Sequence, residues 1–329
     1  MLYFKELNKN NVDQDYLDED ITVENNNQLE SCIKSGVCIK ARNVFIKGNV
    51  EQSNIIASSV FVEGQTHSRS EIKASSVYIK HCKGSVIADC VFIETLEGGV
   101  IKAKKVYVDI CGSGKIIADF IYIGKCLSYN ELYAKQYLVF EEVEGNMNTF
   151  EINPEKFLHE INSKNFFQKQ LMLEQLNSKL KYVIEQLDEA KAYIVNNCHN
   201  IYKIKNLNKK NIVYKRNIEL YNRALTKYQN QFNKYKDVVK LFYVVNTQVD
   251  SVLNMAFNGK IILKKYNKGT DNLIKFTIIG KKNRDYRYIL KNDYCKVFYL
   301  QNRKKPNLRF HTDLNQEDLL WIEKIKKCF

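Results

Sequence analysis

The residues that could do chemistry are scattered along the chain. None of the five histidines forms an HExxH motif or another zinc spacing: His67, His81, His159, His199 and His311. The nine cysteines include no CxxC pair, and their odd number favours neither a zinc site nor a disulfide framework. A GxSxG elbow, a P-loop and a GxGxxG fingerprint are all missing. We therefore expect no catalytic residue, no metal ion and no cofactor.

One set of carboxylates does recur at a fixed place in a repeat. Glu63, Glu94 and Asp109 each follow a triplet of aliphatic, aromatic and aliphatic residues. Paired carboxylates along one strand face are typical of polysaccharide hydrolases. Lys47 and Lys80 take the same place in other units, and this mixture of charges favours a solvated wall over an active site. The sequence thus predicts that the chain is not an enzyme.

The size and composition indicate a folded protein. A chain of 329 residues can form two or three domains with a buried core. The 45% content of hydrophobic residues is globular, and no apolar run approaches the roughly 18 residues of a membrane span. The N-terminal stretch is acidic and carries no signal-peptide core. We expect a cytoplasmic protein without a transmembrane segment.

The net charge of +14 is uneven along the chain. Residues 1–30 carry a net charge of −6, residues 31–199 a net charge of +1 and residues 200–329 a net charge of +19. A basic half favours nucleic-acid or anionic-membrane binding. Codon bias in a chain rich in Lys, Asn, Ile and Tyr is the favoured explanation, so nucleic acid is not expected as the main partner.

A short repeat dominates the first half of the chain. The stretch IIASSVFVEG (residues 55–64) returns as IKASSVYIKH, VIADCVFIET, IKAKKVYVDI and IIADFIYIGK. Its alanine recurs every 14 to 17 residues, at Ala41, Ala57, Ala74, Ala88, Ala103, Ala118 and Ala134. A unit this short has room for strands and none for a helix. The repeat predicts a single-stranded parallel β-helix of about seven coils over residues 36–145.

Side-chain alternation within each coil separates an interior from an outer wall. The inward positions are all aliphatic: Val44, Ile46, Val60, Val62, Val77, Ile79, Val91, Ile93, Val106, Val108, Ile121 and Ile123. The outward position between each pair is aromatic and forms a predicted ladder and candidate interface, the aromatic ladder: Phe45, Phe61, Tyr78, Phe92, Tyr107 and Tyr122. This ladder could be covered by later segments of the chain or by a partner or second copy, or it could stay exposed to solvent.

Two heptad patterns follow the repeat. The first runs through Leu173, Leu176, Leu180, Val183 and Leu187, and the second through Tyr214, Ile218, Tyr221, Leu225, Tyr228 and Phe232. A polar, turn-like link separates them. We predict a long antiparallel helical hairpin or coiled coil over residues 150–250, closed on itself or zipped onto a second chain.

The two ends complete the predicted organisation. Residues 1–35 form an acidic lead-in, and residues 251–329 form a basic β segment with a short terminal helix. Asp313 is the expected N-cap of that helix, with Gln316 behind it.

The order of these elements resembles the bacterial flagellar assembly protein A family. Coils of the IIASSVFVEG type and the two heptad seams carry the resemblance over most of residues 36–280. The coils also resemble those of bactofilins, β-helix proteins that polymerise end to end. The first resemblance implies a right-handed β-helix and a cytosolic, non-enzymatic protein that acts through protein contacts in flagellar assembly or polar organisation.

Three functions remain open from the sequence. A scaffold or adaptor would use the coils as a platform and the hairpin as a spacer or a site of homo-oligomerisation. A bactofilin-like polymer would stack the ends of the β-helix. A nucleic-acid or anionic-membrane binder would use the basic C-terminal part.

Overall fold

The computed structural model of the protein describes residues 1–10, 16–25, 30–157, 163–203, 209, 211–267, 269–279, 283–291, 296–303, 305–312 and 314–326, and of these 163–165, 321 and 324–326 by their backbone alone. The predicted N-cap Asp313 lies outside the described residues. The chain divides into two compact units, residues 1–157 together with 253–329, and residues 158–252.

The first unit is a parallel β-solenoid, as the repeat predicts. Its first strands vary in length: β1 (Leu2–Phe4), β2 (Tyr16–Glu24), β3 (Ser31–Ile33), β4 (Cys38–Lys47), β5 (Asn49–Val50), β6 (Asn54–Ile56) and β7 (Ser59–Gln65). Longer strands follow, one for each coil: β8 (Glu71–Cys82), β9 (Ser85–Glu97), β10 (Val100–Gly112), β11 (Lys115–Cys126) and β12 (Glu131–Val143).

The number of coils differs from the prediction of about seven. The solenoid has about nine turns, because both ends continue beyond the alanine repeat. Strands β1 and β2, placed in the acidic lead-in by the sequence, form parallel coils ahead of β4. In β2 the position opposite Ala41 is Tyr16 and the position opposite Phe45 is Thr22. The β2 coil lacks both marker residues, and β1 has an aromatic residue, Tyr3, at the ladder position but is only three residues long, so the repeat did not reveal these coils.

The interior of the solenoid is the predicted aliphatic stack. Equivalent residues lie opposite one another from coil to coil, as Val91, Val106 and Ile121 do. All twelve predicted inward side chains are at most 4% exposed. Parallel strands about 4.8 Å apart leave room only for side chains of similar shape at each position, and this is why the pattern repeats so closely.

The rung that follows β12 is split by an insertion. Strand β13 (Thr149–Ile152) pairs in parallel with the first half of β12, with Thr149 opposite Glu131. The second half of β12 pairs in parallel with β14 (Lys260–Tyr266), where Lys260 lies opposite Tyr137. One coil is therefore built from two segments that are more than a hundred residues apart in the sequence.

The insertion between these two strands is helical. A turn of 3₁₀ helix (Pro154–Phe157) leads out of the coil, and two long helices follow, α1 (Ser163–Lys203) and α2 (Ile212–Leu253). The short helix α3 (Met255–Asn258) returns the chain to β14. The predicted helical region is thus confirmed, and the coiled-coil packing of its two helices stays a prediction.

Antiparallel strands end the stack. Strand β15 (Leu273–Ile278) adds in parallel to β13, and β16 (Arg284–Ile289) then pairs with β15 in antiparallel fashion. On the other half, β17 (Lys296–Gln301) and β18 (Asn307–His311) add to β14 as antiparallel strands. Helix α4 (Gln316–Lys326) closes the chain. The returning β segment of the prediction therefore caps the solenoid.

The repeated alanine marks the corner of each coil. Ala103 packs against the core and lies opposite Ala88 and Ala118, and the next residue, Lys104, is left out of the pairing with both neighbouring strands. Ile152 takes this position in β13, opposite Ala134. Here the chain leaves the coil instead of turning, so the restriction to a small residue no longer applies.

A ladder of buried asparagines joins the coils across the insertion. The side-chain oxygen of Asn148 accepts bonds from the backbone and side-chain N–H groups of Asn130, at 2.8 and 3.0 Å. Asn272, beyond the insertion, accepts the equivalent bonds from Asn148 at 3.0 and 2.9 Å. All three side chains are at most 1% exposed. Each amide therefore satisfies buried groups that have no access to water.

Removing the central amide should destabilise the solenoid. In an Asn148→Ala variant the buried backbone N–H of Asn130 loses its acceptor, which should lower the free energy of unfolding by about 1–3 kcal/mol. The exposed Gln52 is the control, and a Gln52→Ala variant should stay within about 0.5 kcal/mol of the wild type. Urea unfolding followed by circular dichroism measures both, and equal stability of the two variants would contradict the role of the ladder.

Candidate docking surface

The aromatic ladder is a stack of parallel rings on the outer wall. Strands β7 to β11 bring Phe61, Tyr78, Phe92, Tyr107 and Tyr122 into register. Their ring centroids follow at 4.5, 5.5, 4.8 and 5.2 Å, with interplanar angles between 5° and 12°. Phe45 lies opposite Phe61 at the head of the row. The spacing follows from the distance between parallel strands.

The exposure of the ladder falls along its length. Phe45 is 37% exposed, the rings from Phe61 to Tyr107 are half-buried, and Tyr122 is 1% exposed. A cluster from the last rungs and the terminal helix covers Tyr122, and it consists of Tyr137, Val139, Ile262, Val297 and Ile322. Later segments of the chain therefore cover one end of the ladder and leave its middle partly open.

A buried ion pair holds the start of the terminal helix on the solenoid. Asp318 of α4 is fully buried, and its carboxylate contacts Lys260 Nζ at 2.6 Å and His311 Nε2 at 3.1 Å. Burial alone would raise the pKa of Asp318, but the hydrogen bonds from Lys260 and His311 outweigh it and lower that pKa. The N-cap of α4 is Asn315, which accepts the Asp318 N–H at 2.8 Å.

The predicted charged wall lies beside the open part of the ladder. Glu63, Tyr78, Lys80 and Glu94 line a groove of about 540 Å³ together with Phe61. The Tyr78 hydroxyl donates to Glu94, and this bond, with burial, raises the pKa of Tyr78 to about 12. Lysines and carboxylates alternate here, as expected for a wall of mixed charge. Among the described residues, no three His, Cys, Asp or Glu side chains could hold a metal ion together.

The cysteines inside the solenoid are small apolar residues of its core. Cys82, Cys111 and Cys126 are 0% exposed; Cys111 lies opposite Cys126, and Leu96 separates Cys111 from Cys82 in the stack. Burial raises the pKa of Cys82 to about 11 and that of Cys111 to about 12. A thiol needs its thiolate form to act as a nucleophile. These residues therefore add to the core and offer no reactive site.

The heptad patterns mark the shielded faces of the long helices. Every predicted seam residue is buried or half-buried: Leu173, Leu176, Leu180, Val183, Leu187, Tyr214, Ile218, Tyr221, Leu225, Tyr228 and Phe232. The most shielded positions of α2 include Ala224, one residue before the predicted seam position Leu225. The centre of the buried face is thus shifted slightly from the sequence pattern.

Sequence reasoning missed the asparagine ladder and the buried Asp318. The ladder had a local signal, an asparagine at or just before the start of a strand, but Asn272 became its third member only through pairing across the insertion. Asp318 had no signal beyond its place in a predicted helix, because Lys260 is 58 residues away.

Compared with known proteins, the chain matches no family model, no curated protein and no solved structure. Within the described parts of the chain, no helix has both the length and the apolar character of a membrane span.

The two ends of the ladder should respond differently to truncation. Tyr122→Ala removes a fully covered ring and should lower the free energy of unfolding by about 3–5 kcal/mol. Phe45→Ala removes a ring that is 37% exposed and should cost about 1 kcal/mol or less. Urea unfolding of both variants measures the difference. Similar losses in the two variants would show that the C-terminal segment does not cover the ladder in solution.

Proposed function

We propose that the chain is a non-enzymatic scaffold or adaptor that acts through protein contacts. The split coil carries this proposal: β13 and β14 both pair with β12, so the helical insertion begins and ends within one rung of the solenoid. An element joined by two strands to a continuous sheet is held at both of its ends. This arrangement suits a protein that presents a long helical element from a stable platform.

The two helices are proposed to pair as an antiparallel hairpin. Ala190 and Ala224 are both 0% exposed and lie at similar distances from the link between α1 and α2. Small residues facing each other allow two helices to approach closely. Homo-oligomerisation through these same faces is the alternative, since a second chain could bury them equally well.

The middle of the aromatic ladder is the proposed docking surface for a protein partner. Phe61, Tyr78 and Phe92 are half-buried, and Phe61 and Tyr78 line the charged groove. Aromatic side chains next to polar groups are typical of the centre of protein interfaces. By the resemblance to the flagellar assembly protein A family, the partners would belong to the flagellar or polar machinery, in the cytoplasm.

A bactofilin-like polymer is the less favoured alternative. Polymerisation by end-to-end stacking needs a free parallel rung at each end of the solenoid. At the C-terminal end the outer strands β16 and β18 are antiparallel additions, and they carry the exposed arginines Arg284, Arg287 and Arg309. Charged, antiparallel edge strands disfavour the addition of a further coil.

A pull-down from bacterial lysate tests the scaffold function. We compare the wild type with a variant in which Phe61, Tyr78 and Phe92 are replaced by Ser. The loss of three central aromatic contacts should reduce the capture of a specific protein by at least about tenfold. Mass spectrometry identifies and quantifies the captured proteins.

The matched control replaces three outward-facing isoleucines by Ser. They are Ile56, Ile87 and Ile117, in strands β6, β9 and β11. This control should retain the captured protein. Equal capture by all three proteins would argue against the ladder as the interface. Filaments of the purified wild type in negative stain would favour the polymer instead.

A further inference from the structure

Helix α2 carries an aligned row of cations. The helix has seven Lys or Arg residues against three acidic residues. Four of the cations follow at steps of seven, four and seven residues and form the basic stripe: Arg216, Arg223, Lys227 and Lys234. At about 100° per residue, all four lie within about 20° of one line along the helix, and at 1.5 Å per residue this line is about 27 Å long. All four side chains are exposed.

The cations of the basic stripe have no acidic partner among the residues that the structure describes. The solenoid differs in this respect, because many of its cations form ion pairs: Lys34, Arg42, Lys47, Lys73, Lys83, Lys104, Lys115, Lys125, Lys135, Lys260, Lys264, Lys265, Lys275 and Arg287. The charge of the stripe is therefore available to an external anion, whereas much of the charge on the solenoid is already neutralised.

Polar side chains flank the stripe. A shallow groove of about 540 Å³ contains Arg223, Lys227 and Lys234 together with Asn222, Thr226, Asn230 and Gln231. A second groove continues toward the start of the helix past Lys215 and Arg216. Glu219 is the acidic residue in that second groove. Amides and hydroxyls beside Lys and Arg are the groups that contact phosphate and sugar in nucleic-acid complexes.

The positions of the exposed apolar side chains on α2 favour a nucleic acid over a membrane as the ligand of the basic stripe. Binding to a bilayer surface needs apolar residues beside the cations, so that they can insert between the lipids. The exposed large hydrophobic residues of α2 lie outside the span of the stripe, at Ile212 and Val213 on one side and at Leu241, Tyr243 and Val244 on the other. Between residues 216 and 234 every exposed side chain is polar or charged, and the apolar side chains are buried or half-buried.

We propose that the basic stripe of α2 binds the phosphate backbone of a nucleic acid without sequence specificity. In duplex DNA one strand has a phosphate about every 3.4 Å along the axis, so a line of about 27 Å faces about eight phosphates. Binding releases the counterions condensed on those phosphates. This function is separate from protein docking on the solenoid, and either can hold without the other.

Fluorescence anisotropy with a labelled 20-base-pair duplex tests the proposal on the full chain. Four phosphate contacts should make the wild-type affinity fall about 100-fold between 50 and 200 mM KCl. The stripe variant combines R216Q, R223Q, K227Q and K234Q. Its plot of log affinity against log salt should be less steep by about 3 to 4. Glutamine is a good helix former, and circular dichroism verifies that the variant keeps its helices.

The matched control removes four cations from the solenoid that form no ion pair with the described residues, by K5Q, R69Q, K102Q and K105Q. It should keep at least most of the wild-type salt dependence. A second variant carries only R223Q and K227Q. The change in its salt slope, relative to the wild type, should be about half of the change in the stripe variant.

Three results would overturn the proposal. They are no binding of the duplex by the wild type, equal weakening in the control and the stripe variant, and binding to vesicles of phosphatidylcholine and phosphatidylserine without binding to the duplex. The last result would assign the stripe to an anionic membrane surface.

Discussion

The parallel register carried by β12 is the constraint on which the rest of the structure depends. This strand pairs with β13 along its first half and with β14 along its second half, so it joins the two sides of a helical insertion into one coil. Because the interior is a stack of aliphatic side chains, a slip of one residue would turn that stack outward. The buried asparagines fix the same register through side-chain amides.

Charged residues have different surroundings in the coils of the solenoid, at its C-terminal end and on the inserted helix α2. Along the coils, lysines and carboxylates pair across neighbouring rungs, as Lys104 does with Asp89 and Lys115 with Glu131. At the C-terminal end, a fully buried Asp318 anchors α4, whose Ile322 packs in the cluster that covers the last ring of the ladder. On α2 the cations stay without acidic partners among the described residues. Many cations of the solenoid are thus neutralised by ion pairs, whereas the cations of the proposed polyanion site on α2 are available to an external partner.

The sequence predicts the features that repeat locally. The alanine and aromatic positions identify the β-helix and its interior, and the heptads identify the shielded helix faces. Two coils escaped prediction because β2 has Tyr16 and Thr22 where the repeat has alanine and an aromatic ring, and because β1 is only three residues long. The split coil escaped because the pairing of Tyr137 with Lys260 spans the insertion, and periodicity reports only on neighbouring residues.

Excision of the insertion tests the split coil most directly. Residues 158–252 are replaced by a short glycine–serine link, and urea unfolding of the product is followed by circular dichroism. If β13 and β14 belong to one coil, the product keeps its β-sheet signal and unfolds in a single cooperative transition. Two separate transitions, or loss of protection of β14 to β18 against protease, would contradict a continuous solenoid.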